Sequence, residues 1–365
     1  MARSKSAPPS IRAPEPAGPS SVARVKDAWY VACRSDELTQ RPLGRRIYDF
    51  PLVLFRDAQG APAALLDRCA HRNVPLSGGK VVGSEVECPY HGWRFGADGG
   101  CSLVPALKEP QAKTSAASKG RRVPSFPVRE QQGLVWVWPS ETEAPRGAPY
   151  TVPAVDEPGY IRIDYTADFE ATLHSTLENI LDVPHTAFLH RGLFRAGERN
   201  PIEVVVTRWG DRVQAQYVGE PRPTGIVGRI LAPGGGEVEH YDRFIMPSVG
   251  QVEYRLGRQH LVISNLLTPI SDYLTRMYAV VAVRVPKAAS VIKPVVMPIV
   301  RKILDQDAVI LREQTATIKR FGREQFVSTS VDLLGPHILK LLRQAERGEL
   351  DPEQDPVEER LEMLA

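Results

Sequence analysis

The sequence predicts an α+β protein with two domains, an antiparallel β domain followed by an antiparallel sheet that carries a long helix near the end. The chain has 365 residues, more than the ~250 to 300 at which a single core stops growing. Short strand-like runs fill the first part, and longer runs followed by a helical stretch fill the second. We predict a disordered leader over 1–24, domains over 25–145 and 146–340, and a charged tail over 341–365.

The first domain is predicted from short apolar runs between Gly, Pro and Asp turns. Residues 29–33 and 45–55 are interpreted as strands, residues 81–87 as a hairpin, and residues 134–138 as a closing strand with alternating tryptophans. Between them, the basic stretch 108–122 is interpreted as a solvated loop or as a docking patch for an acidic electron donor. A proline-rich connection over 139–158 ends this domain.

The second domain opens with a predicted helix over 169–183, where polar residues recur every three or four positions and Pro184 ends the pattern. Several strand-like runs divided by Gly and Pro follow over 202–285 and indicate a curved antiparallel sheet. Residues 290–322 predict a long helix with a kink near Pro294 and Pro298.

Composition narrows the classes of partner and the location. A hydrophobic content of 42%, a charged content of 24% and a net charge of +3 are ordinary for a globular protein and give no indication of nucleic-acid binding. The N-terminus has no apolar signal segment, so we expect a cytoplasmic, reducing location. The most apolar stretch, 291–304, is interrupted by lysines, arginine and prolines; it is interpreted as a core helix or pocket wall, with peripheral contact at the inner membrane face as the alternative.

Two Cys-His pairs, Cys69 with His71 and Cys88 with His91, are the strongest pattern in the chain. A structural zinc site pairs like ligands, whereas each pair here mixes a thiolate with an imidazole. A Rieske [2Fe–2S] centre has two cysteines on one iron and two histidines on the other, so mixed pairs suit it. The remaining possibility is two unrelated histidines beside two buried thiols.

The spacing C-x-H-x16-C-x2-H resembles the Rieske pattern, and the continuation over 90–95 resembles the loops that shield such a cluster. This resemblance implies that Cys69, His71, Cys88 and His91 ligate the cluster. The two other cysteines, Cys33 and Cys101, are interpreted as small buried hydrophobes.

His185 and His190 follow the predicted helix and could be neighbouring ligands of a second metal. Taken alone, H-x4-H is a weak pattern, because histidines near a helix C-terminus also interact well with the helix dipole. A cluster that moves single electrons needs an acceptor, and an iron(II) held by two histidines and one carboxylate, with open positions for O2, is such an acceptor.

The segment E-N-x-x-D-x-x-H-x4-H over 178–190 resembles the mononuclear iron segment of Rieske non-haem iron oxygenases, and specifically the ring-hydroxylating α-subunit-like family of α3 monooxygenase type. The resemblance implies a helix-grip catalytic domain and a carboxylate ligand from the C-terminal helix. Asp307 shares a helix face with apolar residues and is the predicted ligand, with Asp305 as the alternative.

The resemblance also implies a catalytic role for Asp182 and Asn179. Asp182 would bridge a cluster histidine of one subunit and an iron-ligating histidine of the next, which implies a homotrimer with head-to-tail contacts. No dinucleotide or flavin motif is evident, so electrons from NAD(P)H would arrive through a separate ferredoxin or flavin reductase.

The implied function is that of a terminal oxygenase that uses O2 for C–H hydroxylation or oxidative demethylation. Apolar candidates for the pocket, Phe244, Met246, Tyr254 and Leu266, favour a bulky apolar substrate, and a sterol oxidised at its C-4 methyl groups is the first hypothesis. The alternatives are an aromatic O-demethylase, an arylamine N-oxygenase, a Rieske electron carrier without oxygenase activity, and a binding module for a hydrophobic ligand. The iron content separates these classes, since only an oxygenase carries a mononuclear iron besides its cluster.

Overall fold

The computed structural model describes residues 21–108, 120–140, 143–191, 201–220, 238–284 and 293–364. Within these ranges the protein has two antiparallel β domains with few helices, so the predicted α+β class is confirmed. Most of the predicted leader and most of the basic loop lie outside the described residues, as does the start of the apolar stretch at 291.

The N-terminal domain consists of three small antiparallel sheets with strand orders β1-β11-β10, β2-β3-β4-β9 and β5-β6-β7-β8. The strands are β1 (Tyr30–Arg34), β2 (Leu43–Ile47), β3 (Phe50–Arg56), β4 (Pro62–Leu66), β5 (Lys80–Val82), β6 (Glu85–Glu87), β7 (Arg94–Phe95), β8 (Cys101–Leu103), β9 (Ser125–Phe126), β10 (Val128–Gln131) and β11 (Leu134–Val137). The second and third sheets share a small core, which includes Cys69, Cys88 and Cys101. Cys33 is buried in the main core, and neither Cys33 nor Cys101 forms a disulfide, in agreement with their interpretation as small buried residues.

The C-terminal domain is an eight-stranded antiparallel sheet with the order β12-β18-β17-β16-β15-β14-β13-β19, accompanied by helices. Its elements are β12 (Ile161–Phe169), α1 (Leu173–Leu181), α2 (Thr186–Leu189), β13 (Pro201–Arg208), β14 (Arg212–Val218), β15 (Val238–Ile245), β16 (Val249–Leu256), β17 (Gln259–Ser271), β18 (Leu274–Arg284), α3 (Lys293–Phe321), α4 (Gly335–Glu346) and β19 (Val357–Leu364). None of the helices in the described ranges is both long enough and apolar enough to cross a membrane.

The two faces of this sheet have different partners, because successive side chains of a strand point to opposite sides. One face packs against α1, α3 and α4 and contributes Phe244 to the main core. The other face packs on the N-terminal domain, where Leu266 joins a cluster with Trp29 and Trp136. Leu266, one of the predicted pocket residues, therefore lies on the face that packs on the N-terminal domain, whereas Phe244 lies on the helix side.

Three boundaries differ from the sequence prediction. The predicted helix over 169–183 begins later, because β12 continues to Phe169 and Thr172 caps α1 by accepting a hydrogen bond from the backbone N–H of Ser175 at 3.0 Å. The last residues of the predicted leader, from Ser21 on, pack against the C-terminal domain: Ser21 is buried, and its hydroxyl donates to Glu324 Oε1 at 2.6 Å. Residues in the predicted tail form the end of α4 and the edge strand β19, which pairs with β13 along its whole length.

Candidate metal centres

The two Cys-His loops have the same backbone construction. In the first loop the Cys69 N–H donates to Val74 O at 2.9 Å and the Asn73 N–H donates to Cys69 O at 3.0 Å. In the second loop the Cys88 N–H donates to the carbonyl oxygen of the residue five positions later at 2.8 Å, and the Gly92 N–H donates to Cys88 O at 3.1 Å. Each turn needs a left-handed residue at its fifth position, and Asn73 and Gly92 supply it with φ of 62° and 71°.

These paired turns bring the two thiols inward and leave the two imidazoles at the tip. Cys69 and Cys88 are 1% and 3% exposed. Burial and the neighbouring Cys88 together raise the pKa of the Cys69 thiol to about 11, although backbone hydrogen bonds oppose this shift. The His71 and His91 rings lie 4.6 Å apart, and His91 is exposed. Two inner sulfurs and two outer nitrogens form the donor set that a Rieske cluster requires.

One histidine of this set has an orphaned donor atom. His71 Nδ1 is buried and has no hydrogen-bond partner in the described ranges, while the His71 ring stacks on Trp93 at 4.7 Å with an interplanar angle of 2°. A buried polar atom without a partner costs about 1–3 kcal/mol, and coordination would remove that cost. The stacking on Trp93 fixes the plane of the ring, a contact that sequence reasoning did not anticipate.

The second centre lies where α1 ends. Asp182 has an extended backbone (ψ 109°), and Pro184 prevents the helix from continuing through residue 183. The chain then makes the single turn of α2, with His185 at its N-cap and His190 at its C-cap, so that the two rings lie 5.1 Å apart. The two histidines thus lie close together because they flank one short helical turn.

The long helix α3 supplies the third group. Asp307 Oδ1 lies 3.1 Å from His190 Nε2 and 3.7 Å from His185 Nε2, and the three candidate ligand atoms lie within 4.8 Å of one another. The three residues could therefore hold a metal ion in a facial arrangement with open positions. Asp307 is 7% exposed, whereas Asp305 is exposed on the outer side of α3. The structure brings the favoured aspartate, and not the alternative, to the histidines.

Hydrogen bonds around the two histidines select the ring nitrogens that face the centre. His185 Nδ1 donates to the carbonyl oxygen of Asp182, and the Asp182 carboxylate lies 3.2 Å from the same nitrogen. His190 Nδ1 donates to Gln306 Oε1 at 3.1 Å. Both imidazoles therefore present Nε2 to Asp307, which is how outer carbonyl or carboxylate groups orient metal-ligating histidines.

Asn179 contacts the same carboxylate, since its Nδ2 donates to Asp307 Oδ1 at 3.4 Å. Burial lowers the pKa of His190, but the hydrogen bonds to Asp307 and Gln306 and the charge of Asp307 raise it by more, so the net shift is upward. Asp182, Asn179 and Gln306 thus surround the three candidate ligands. Sequence reasoning missed Gln306, and its position directly before Asp307 was the one available indication.

Replacing Gln306 with leucine is expected to weaken iron binding about 10–100-fold, because His190 would lose the acceptor that fixes its ring. The measurement is iron retention during dialysis against a chelator, with the visible spectrum of the cluster as an internal reference. Glu313→Gln changes an exposed residue of the same helix and serves as the control. Equal iron retention in the leucine variant and this control would show that Gln306 does not support the site.

Two family descriptions match the chain: "Rieske [2Fe-2S] domain" over residues 28–127 and "Vanillate O-demethylase oxygenase C-terminal domain" over residues 169–348. The first matched region contains the two Cys-His loops, and the second contains His185, His190 and Asp307.

The chain belongs to the Rieske non-haem iron oxygenases.

The curated relatives match this Rieske oxygenase over only part of their own length. The dicamba O-demethylase oxygenase component of Stenotrophomonas maltophilia is 37% identical over 168 residues, which are 46% of this chain and 48% of the relative. The chloroacetanilide N-alkylformylase oxygenase component of Rhizorhabdus wittichii is 30% identical over 236 residues, 60% and 62% of the two chains. The vanillate O-demethylase oxygenase subunit of a Pseudomonas species is 31% identical over 195 residues, 52% and 51%. The matched segments span about half the length of these relatives.

The fold extends further than the sequence similarity. The crystal structure of dicamba monooxygenase bound to dicamba superposes with a TM-score of 0.76 at 24% identity and covers 90% of this chain and 99% of that one. Another solved structure of that protein is described as containing non-haem iron. The family's cofactors are a Rieske [2Fe–2S] cluster and a non-haem iron, and the two donor sets of this Rieske oxygenase fit them.

A cavity of about 790 Å³ adjoins the second centre of this Rieske oxygenase. It lies between α1, the second half of α3 and the segment 325–335, and His185 and Asn179 form part of its wall. Of the four pocket residues predicted from the sheet, none lines this cavity; Tyr217 of β14 does so instead. The alternation of side chains along a strand does not show which of them line a cavity between the helices.

Proposed function

We propose that this chain is the terminal oxygenase component of a multi-component system that uses O2 to demethylate an aromatic methyl ether. One observation carries the proposal: His185, His190 and Asp307 converge within 4.8 Å in the same chain as the two Cys-His loops. A one-electron centre and an O2-binding centre together are what such a reaction requires.

Each side chain has a proposed role. Cys69, Cys88, His71 and His91 would hold the [2Fe–2S] cluster, with the exposed His91 at the side from which electrons arrive or leave. The iron site would be formed by His185, His190 and Asp307. The bound iron supplies O2 activation and substrate oxidation, while the protein supplies geometry and electrostatics.

The groups around the ligands would keep this geometry in place. Asp182 holds His185 through its main-chain and side-chain oxygens, including a bond from the His185 backbone N–H at 3.0 Å. Asn179 donates to Asp307 and thereby orients the carboxylate. The charge of Asp182 would also support the imidazole during electron passage, which is the basis of its proposed catalytic role.

The reaction balances with two electrons and two protons: ArOCH3 + O2 + 2 e⁻ + 2 H⁺ gives ArOH, formaldehyde and water. The electrons would come from NAD(P)H through a separate ferredoxin or flavin reductase. The names of two relatives, dicamba O-demethylase and vanillate O-demethylase, support O-demethylation, and the name of a third, an N-alkylformylase, supports the removal of an alkyl-derived group. None of these names refers to a sterol, so the sterol hypothesis gains no support from them. They give no support to an arylamine N-oxygenase either.

The competing class is a Rieske electron carrier without oxygenase activity. Such a carrier has no use for a second domain with three converging metal-binding side chains. The 180-residue match over 169–348 and the geometry at Asp307 favour the oxygenase. A binding module without chemistry is disfavoured for the same reason.

We also propose that the active assembly is a homotrimer in which Asp182 bridges the two centres of neighbouring subunits. Support comes from the position of Asp182 at the surface, where its side chain is 29% exposed while also contacting His185. Phe188 and Val327, both exposed apolar residues, lie at the same mouth of the cavity. A cytoplasmic location remains our expectation.

Purified protein is expected to contain about three irons and two acid-labile sulfides per chain. The reduced cluster should give a Rieske paramagnetic resonance signal with histidine-coordinated iron and a potential within about −150 to +300 mV, well above the value of an all-cysteine cluster. With a reductase, NADH, O2 and an aryl methyl ether, formaldehyde should form in equal amount to the phenol. Zinc in place of iron and sulfide would overturn the cluster assignment, and two irons per chain would favour the carrier.

A further inference from the structure

One wall of the cavity beside the candidate iron site is the wall segment, residues 322–334, which connects α3 to α4 and contains neither helix nor strand. Residues 325–328 and 331–334 of this segment line the cavity. A segment without the repeating backbone bonds of a helix or a strand opens easily unless other contacts hold it. Contacts near both of its ends connect it to α1, which forms another wall of the same cavity.

The first end of the wall segment is held by Ser21, which lies 303 positions earlier in the chain. The Ser21 hydroxyl donates to Glu324 Oε1 at 2.6 Å, and the Ser21 backbone N–H donates to the other oxygen of the same carboxylate. Ser21 and Glu324 are both buried, and Glu324 directly precedes Gln325, which lines the cavity. Hydrogen bonds to a carboxylate are stronger than those between neutral groups. Ser21 therefore fixes the chain at the point where it enters the wall.

The Ser21 hydroxyl also contacts the start of α1. It lies 3.1 Å from Oγ1 of Thr172, the N-cap residue of that helix. Thr172 Oγ1 in turn lies 3.1 Å from the hydroxyl of Ser175, a residue that lines the cavity. All three residues are buried. One hydroxyl group thus connects the start of the α1 wall with the start of the wall segment.

The second end of the wall segment has a different contact with α1. His174 Nε2 donates to the carbonyl oxygen of Gly335 at 2.8 Å, and α1 packs against α4, which begins at Gly335. This contact does not involve Ser21. Loss of the Ser21 hydroxyl would therefore loosen the first end of the segment and leave the second end attached.

The position of Ser21 is itself determined by both domains. Tyr48 of the N-terminal domain donates its hydroxyl to the carbonyl oxygen of Ala23 at 3.0 Å. The backbone N–H of Arg24 donates to Glu346 Oε1 at 2.9 Å, at the end of α4. The residues that follow Ser21 are thus held from two sides, so the hydroxyl has a fixed support from which to hold the wall segment.

We propose that Ser21 and Glu324 are positioning residues for substrate binding: they hold the wall segment against the start of α1 and thereby fix the mouth of the cavity. Phe326 and Val327 follow Glu324 closely, line the cavity, and are 41% and 86% exposed. Ser21 and Glu324 are not among the residues that line the cavity, so they act through these neighbours. The expected effect on turnover rests on the proposed function, whereas the effect on the wall segment does not.

The first test is hydrogen–deuterium exchange of the full-length, metal-loaded protein, followed by mass spectrometry. Ser21→Ala removes the hydroxyl and is expected to speed amide exchange in residues 325–330 about tenfold, while exchange in α4 stays unchanged. Glu346→Gln alters the carboxylate that binds the same N-terminal stretch but does not line the cavity, so it is the control. Equal exchange in residues 325–330 of Ser21→Ala and this control would overturn the proposal.

A second variant shows whether Ser21 and Glu324 act through each other. Glu324→Gln keeps one of the two acceptor oxygens and is expected to speed exchange in residues 325–330 about fivefold. Because both substitutions break one contact, the double variant should exchange no faster than Ser21→Ala alone. Effects that multiply in the double variant would show that the two residues act independently and would refute the pair.

The access of a small aromatic molecule to the iron site is measured with 2,2′-bipyridine, which forms a coloured complex with iron(II). His185 lines the cavity, so the cavity borders the iron site. With the wall loosened, the mononuclear iron of Ser21→Ala should react about fivefold faster than that of the wild-type chain, without O2 and from equal starting iron content. Glu346→Gln should react at the wild-type rate. An unchanged or slower reaction of Ser21→Ala would refute control of the mouth.

Steady-state kinetics separate this inference from the proposed function. With 4-methylanisole, reductase, NADH and O2, Ser21→Ala is expected to raise KM about fivefold and to change kcat by less than about twofold, since binding is weakened and the oxidation is not. A lower kcat at unchanged KM would refute the positioning role. If the wild-type chain releases no formaldehyde from any aryl methyl ether, the proposed function fails, and the exchange and bipyridine measurements still decide whether Ser21 holds the wall.

Discussion

Replacing Asp307 with alanine is expected to remove the mononuclear iron and to reduce oxygenation below detection, while the visible spectrum of the Rieske cluster persists. Asp307 supplies the single carboxylate oxygen that lies 3.1 Å from His190 Nε2. Without it two neutral imidazoles remain, and a pair of histidines binds iron(II) far more weakly than a facial triad. Iron analysis should fall from about three to about two irons per chain, with formaldehyde release as the activity assay.

Asp305→Ala is the matched control, because it removes the same group two residues earlier on the same helix. Asp305 is exposed, and at 3.6 residues per turn its side chain leaves α3 on roughly the opposite face from that of Asp307. This variant should retain its iron and its activity. Iron loss in Asp305→Ala with retention in Asp307→Ala would mean that α3 is rotated relative to the geometry described above.

Replacing Asp182 with asparagine is expected to leave both metals loaded and to slow turnover about 10–100-fold or more. Asparagine keeps the shape and the main-chain acceptor for His185 Nδ1, but it removes the charge next to that nitrogen. Rapid-mixing spectroscopy should show a cluster that is reduced at the normal rate and is then reoxidised slowly in the presence of substrate and O2. Normal reoxidation would remove Asp182 from the electron path.

Mixed assemblies test whether that path crosses between subunits. A Cys69→Ser chain would lack the cluster, and a His185→Ala chain would lack the mononuclear iron. If Asp182 bridges neighbouring subunits, co-assembled chains should recover part of the activity that each variant lacks alone. Mixed trimers that form and stay inactive would place electron transfer within one subunit.

The grouping of the two Cys-His pairs, and of His185 with His190, could be predicted because their spacing is local, whereas their roles as ligands and a carboxylate from the C-terminal helix were implied by the resemblance. The two Cys-His loops close through hydrogen bonds between residues four or five apart, so the order of residues almost determines the turns. His185 and His190 likewise flank one helical turn. Asp307 could be preferred over Asp305 because its position relative to apolar neighbours indicates the inward face of the helix, and because the resemblance implies a ligand at this place.

The pocket could not be predicted in the same way. Both faces of the large sheet are buried, one by helices and the other by the N-terminal domain, so alternation of side chains does not show which face borders the cavity. Leu266, which was predicted as a pocket residue, lies on the face that packs on the N-terminal domain. Tyr217 on β14 and Gln314 on α3 line the same cavity although they are far apart in the sequence.

The edge strand β19 was missed because its sequence pattern is that of a polar tail. Seven of its eight residues, including Val357 and the three charged residues that follow it, are exposed or partly exposed. Its conformation comes from the ladder with β13, where Glu203 faces Glu362 and Val205 faces Arg360. Propensity and hydrophobic pattern carry little information about a strand that is stabilised mainly by backbone pairing at an edge.

The ladder between β13 and β19 has a consequence for how the domain forms during synthesis. Its paired residues are about 150 or more positions apart in the chain, as Val204 and Leu361 show. Contacts of such separation form slowly, because a long loop must close first. The edge of β13 that pairs with β19 therefore stays unpaired until residues 357–364 leave the ribosome. The Cys-His loops near the start of the chain can fold and receive their cluster earlier. In the growing chain, assembly of the electron-transfer centre would precede completion of the sheet that supports the catalytic iron.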